Sequence, residues 1–125
     1  MYLTGLVFLG GGLGSALRFS VGLLTLRLFG SGFPFATLAV NVLGSLLMGV
    51  VAGYFAFKGE AAQAWRLFFT TGVLGGFTTF STFSLETFLL HERGQTLLSF
   101  AYVGFSLVLS ILALAAGLAV VRSLS

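Results

Sequence analysis

Cysteine is absent from these 125 residues, which removes disulfide staples, thiol nucleophiles and thiolate metal sites together. Charge is nearly as scarce. Six basic and three acidic side chains make up 7% of the chain, against roughly a quarter in soluble domains. So few charges cannot cover the core of a soluble protein, whereas lipid solvates an apolar exterior without any cover. The cations Arg18, Arg27, Lys58, Arg66, Arg93 and Arg122 are scattered rather than clustered, so no basic stripe exists for nucleic acid. The lone histidine, His91, sits in the charged run "HERG" and reads as an ordinary interfacial residue. Without His, Cys and Asp constellations, or a nucleophile beside a base, the sequence gives no enzyme reading.

What the chain has is apolar surface: 58% apolar residues and a mean hydropathy of +1.11. Crossing the hydrocarbon of a bilayer takes roughly 20 apolar residues, and four such runs occur, at about 2–29, 34–57, 64–90 and 96–121. The single proline, Pro34, follows "GSGF" at a point where a helix start tolerates its missing N–H. "KGEAAQ" and "HERGQ" separate the later runs. Lipid forbids open sheet edges and four strands cannot close a barrel, so the expected fold is an all-α membrane protein, one domain of four transmembrane helices. The first run has no cationic leader and no cleavage signature, and is expected to stay in the mature fold. Four spans leave both termini on one side, with Lys58, Arg66 and Arg122, against Arg27 and Arg93 opposite, plus Arg18 if it reaches that far. That balance gives no inside preference and is compatible with insertion in both orientations and an antiparallel homodimer.

Eighteen glycines include three GxxxG pairs, Gly10/Gly14, Gly49/Gly53 and Gly72/Gly76, which let helix backbones approach closely in lipid. The third run carries "GGFTTFSTFS" (75–84), five hydroxyls and three phenyl rings behind a glycine pair. Two glycines followed by two β-branched threonines favour a break in the helix near Gly75 to Thr79. A broken span offers carbonyls that suit a cation on one half and N–H groups that suit an anion on the other. Phe77, Phe80 and Phe83 recur every third residue as a stripe, and ring edges carry positive charge. Beside them Ser81, Thr82 and Ser84 would favour a small anion, although aromatic stripes commonly pack and such hydroxyls commonly bond back to their own helix. Asn41 puts a costly amide in the second run, as an anion donor or as glue between helices. Tyr102, Ser106 and Ser110 add polar groups to the fourth, the serines four apart on one face. Arg18 and Glu86 are the charges embedded in apolar stretches, open to either structural pairing or ion attraction.

These stretches, "GGGLGSALRF", "GFPFATLAVNVLGS" and "TTGVLGGFTTFSTFSLET", together resemble the Fluc (CrcB-type) fluoride channels over essentially the whole chain. The resemblance implies a dual-topology antiparallel homodimer in the cell membrane, with two pores along the subunit interface passing fluoride passively out of the cytoplasm. It implies that Asn41 is the pore amide and that the edges of Phe80 and Phe83 line the path. Ser106 and Ser110 would continue it, with Tyr102 near the rings and Arg18 near the vestibule, where Glu86 is expected as well. It further implies that the carbonyls of Gly75 and Thr78 hold a structural, non-transported Na+ at the dimer axis. From physics alone, a small dual-topology, proton-coupled exporter of cationic drugs competes, but that class needs an acid in its first helix, where this chain has Arg18. An accessory subunit without transport would leave the hydroxyl and phenyl groups idle.

Overall fold

The computed structural model describes residues 1–56 and 63–124. It is all-helical: α1 (Tyr2–Phe29), α2 (Phe35–Phe55), α3 (Gln63–Leu67), a π-helical turn (Phe68–Leu74), α4 (Gly75–Phe77), α5 (Phe80–Glu92) and α6 (Thr96–Leu124). By length and composition four helices can cross a membrane: α1, α2, the composite Gln63–Glu92 and α6. These match the four apolar runs. Lys58 and the greater part of "KGEAAQ" lie outside the described residues. Pro34 stands just before α2 rather than inside it, and Gly30 and Gly94 take positive φ (73° and 80°) to end α1 and turn the chain into α6, a conformation that costs glycine little.

The bundle is held by backbone-to-backbone contact at glycine. A Cβ on Gly10 would meet Phe68 O and Gly72, one on Gly14 would meet Val73 O and Phe77 N, and one on Gly76 would run into Gly11 O. Moving up α1 thus moves up the third span, so the two run parallel. In the same way Gly49 faces Leu114 and Gly53 faces Val121, which lays α2 parallel to α6. All three GxxxG pairs are packing seams, as small residues in lipid allow.

The third span is broken within the expected stretch Gly75 to Thr79, at Thr78 (φ −87°, ψ 160°) and Thr79 (φ −153°, ψ 123°), while the glycine pair itself stays helical. Gly76 is consumed by its close approach to Gly11. The aromatic stripe needs correction. Phe77, Phe80 and Phe83 do not form one stripe: Phe77 lies upstream of the break and is buried, whereas Phe80 is 74% exposed and Phe83 buried.

Candidate functional site

An interruption in a buried helix frees backbone groups that must find partners. In a continuous helix Thr79 N–H would bond Gly75 O. Here it donates to Asn41 Oδ1 at 2.8 Å, and Asn41 Nδ2 donates back to Thr79 O at 3.0 Å. Thr82 N–H, which would have bonded Thr78 O, donates to the Thr79 hydroxyl at 3.2 Å as an N-cap. Arg18 Nε donates to Gly76 O at 3.1 Å. Gly75 O and Thr78 O thereby lose their helical donors, while the first N–H groups of α5 point out of its positive end.

Asn41 is therefore a two-point clamp on the break and still has one amide N–H to offer. Arg18 is bonded to the last helical turn before the break. Its guanidinium also fixes a positive charge beside the interrupted segment without entering the groove described next.

On the α2 and α6 side of the break is a groove of about 270 Å³ bordered by Asn41, Thr79, Phe80, Phe83, Ser106 and Ser110. Phe80 and Phe83 lie 5.5 Å apart with their planes tilted by 50°. Phe83 continues to Tyr102 at 5.2 Å, and Tyr102 meets Phe33 edge-on at 5.5 Å and 87°. The rings form a file from the groove into the bundle.

The hydroxyls divide into two groups. Ser20, Thr25, Thr70, Thr78, Ser84 and Thr87 bond back to carbonyls three or four residues earlier on their own helices, the usual fate of such residues in apolar helices. Ser106 does not. Its Oγ is buried, 5% of the residue being exposed, and has no hydrogen-bond partner among the described residues. Leaving a hydroxyl so costs about 1–3 kcal/mol. Ser110 also keeps its hydroxyl uncommitted among the described residues. Ser81 contacts the Thr79 hydroxyl at 3.4 Å and Thr82 gives its N–H to the cap; neither borders the groove.

Glu86 belongs elsewhere. Tyr102 donates to Glu86 Oε1 at 3.1 Å, and Glu86 borders a second cavity of about 580 Å³ with Thr25, Phe33, Glu92 and Arg93. Arg18, held on Gly76 O, does not border that cavity, and among the described residues Tyr102, not an arginine, pairs with Glu86. His91 is exposed, its Nδ1 3.0 Å from Thr96 Oγ1. Three groove or ring-file neighbours escaped the sequence reading: Thr79, the cap; Thr37, buried near Tyr102; and Ser45. Thr37 and Ser45 stand four residues either side of Asn41, a spacing that could have found them.

Comparison with known proteins returns one consistent likeness. Residues 5–118 match the family model described as CrcB-like protein, Camphor Resistance (CrcB). The "Fluoride-specific ion channel FluC 2" of Nitrobacter hamburgensis is 57% identical over 120 residues, 96% of this chain and 97% of the relative. The "Fluoride-specific ion channel FluC" of Methylobacterium nodulans is 56% identical over 119 residues, 95% of each. That of Rhodopseudomonas palustris (strain BisB5) is 52% identical over 120 residues, 96% and 97%.

Proposed function

This chain belongs to the CrcB-like family, and from that premise we propose that it is a fluoride-selective ion channel, a multi-pass protein of the cell membrane. The multidrug-exporter alternative is set aside: the relatives that match nearly the whole chain are named fluoride-specific ion channels, and α1 contains no acid that could alternate between proton and drug. The observation that carries the assignment to a place is the buried Ser106 hydroxyl, without a partner among the described residues, on the groove beside Asn41, Phe80 and Phe83.

Fluoride is small and strongly hydrated, so its path must replace water with several hard donors. The spare N–H of Asn41, the hydroxyls of Ser106 and Ser110, the positive rims of Phe80 and Phe83 and the N-terminal end of α5 offer such donors. None carries a full charge. A cation inside the constriction would hold the anion too firmly, and throughput requires sites that bind yet release. Arg18, held on the Gly76 carbonyl, attracts anions toward the break without sitting in the groove. Tyr102 joins the path to the ring file and to Glu86.

The groove of one chain has no outer wall, and Phe80 lies 74% exposed along it. That supports completion by a second copy, and with the balanced cations it supports an antiparallel, dual-topology homodimer with two pores, surrounded by lipid. The freed carbonyls of Gly75 and Thr78 are neutral, hard donors that fit a monovalent cation. Two per chain leave its shell to be completed from the partner copy. When bound there, structural Na+ would neutralise the exposed carbonyl end of the break; Gly75 and Thr78 would hold it, while conduction runs on the N–H side.

Fluoride release from liposomes, followed with a fluoride-selective electrode and driven by a potassium gradient through an ionophore, tests the proposal. Passive fluoride efflux is expected without any proton gradient, and rates equal to those of protein-free liposomes would overturn it. Phe80→Ile and Phe83→Ile are expected to cut efflux by at least roughly tenfold, about 1.4 kcal/mol per decade of rate, while size-exclusion profiles stay unchanged.

A further inference from the structure

We propose that Ser45, resting on the fluoride-channel reading above, is an additional ion-contacting residue, forming with Ser110 the last polar step of the path before the groove closes. The placement follows from the parallel packing of α2 on α6. Gly49 abuts Leu114 and Gly53 meets the Leu118 side chain; both pairs differ by 65 in residue number. The same offset sets Asn41 level with Ser106 and Ser45 level with Ser110. Successive members on each helix are four apart, hence on one face and about 6 Å apart along the axis.

The result is a ladder of matched levels: Thr37 with Tyr102, Asn41 with Ser106, Ser45 with Ser110, Gly49 with Leu114. Asn41, Ser45, Ser106, Ser110 and Leu114 all border the groove. At the fourth level a Cβ on Gly49 would run into the Leu114 carbonyl, so the helices touch there and no ion can pass between them. An ion moving along the ladder leaves at the third level. Ser45 is only partly buried and, unlike Ser20 or Ser84, its hydroxyl makes no bond to its own helix or to any other described residue. It remains available as a donor at that exit, level with Ser110 on the same groove.

The test compares wild type, Ser45→Ala, Ser110→Ala, the double variant, Ser45→Thr and Ser20→Ala in the electrode assay on proteoliposomes. Loss of one hydrogen bond to an anion, partly replaced by water, is expected to slow fluoride efflux about three- to tenfold in Ser45→Ala. The double variant should lose less than the product of the single losses, because the two hydroxyls serve one step. Ser45→Thr keeps the donor and should retain most of the flux. Ser20→Ala, whose hydroxyl is spent on Ala16 O, should match wild type. If wild type conducts and Ser45→Ala equals Ser20→Ala, Ser45 has no part in the path. A Ser45→Thr as slow as Ser45→Ala would likewise reject a donor role. A wild type that passes no fluoride defeats the channel reading itself, and the Ser45 assignment falls with it.

Discussion

At Ser106 stability and function pull apart. Its buried hydroxyl has no partner among the described residues, an arrangement that costs the folded chain about 1–3 kcal/mol. Ser106→Ala should therefore leave thermal stability in detergent unchanged or raise it by about 1 kcal/mol, while fluoride efflux falls roughly tenfold. A variant that loses stability and flux together would mark Ser106 as a packing residue. The sequence could name this serine but not separate it from Ser99, seven residues earlier, whose hydroxyl is spent on Thr87 O at 2.7 Å. Both are small alcohols in one apolar helix. Only the position of α5 decides which is committed. Asn41 was visible as a costly amide, yet its partner was not, because the Thr79 backbone groups it clamps exist only once the helix is broken.

Among the elements, the four spans could be read from hydropathy alone, because lipid enforces long apolar helices whatever their neighbours are. The interior of the third span could not. A period of three joins Phe77 to Phe80 and Phe83 only if the helix is continuous, and the extended Thr78 and Thr79 lie between them. The π-helical turn Phe68–Leu74 left no local mark in "FFTTGVL". It lies where Gly10 and Gly14 receive the backbone of Phe68, Gly72 and Val73, a contact made by another helix. Since a Cβ at Gly76 would collide with the Gly11 carbonyl, Gly76→Val should destabilise the protein by at least about 1–3 kcal/mol of overpacking. Gly12 has open space around the same added atom, so Gly12→Ala should be neutral or stabilising by about 0.5–1 kcal/mol. Thermal unfolding followed by size exclusion checks both, and equal effects would contradict the proposed seam.

For the assembly, the absence of cysteine makes topology straightforward to measure. Ser123 is exposed at the end of α6, and a single Ser123→Cys supplies the only thiol. Dual topology predicts that a membrane-impermeant maleimide labels about half of the copies in sealed cells and all of them after permeabilisation. Labelling of all or none in sealed cells would refute the antiparallel dimer and require the outer wall of the groove to come from elsewhere. The decisive quantity for an uncharged, hydroxyl-rich path is its preference between halides. Single-channel or bilayer recordings under opposed fluoride and chloride gradients give that preference as a reversal potential. A potential close to the fluoride equilibrium value is predicted; one near zero, or near the chloride value, would contradict the account.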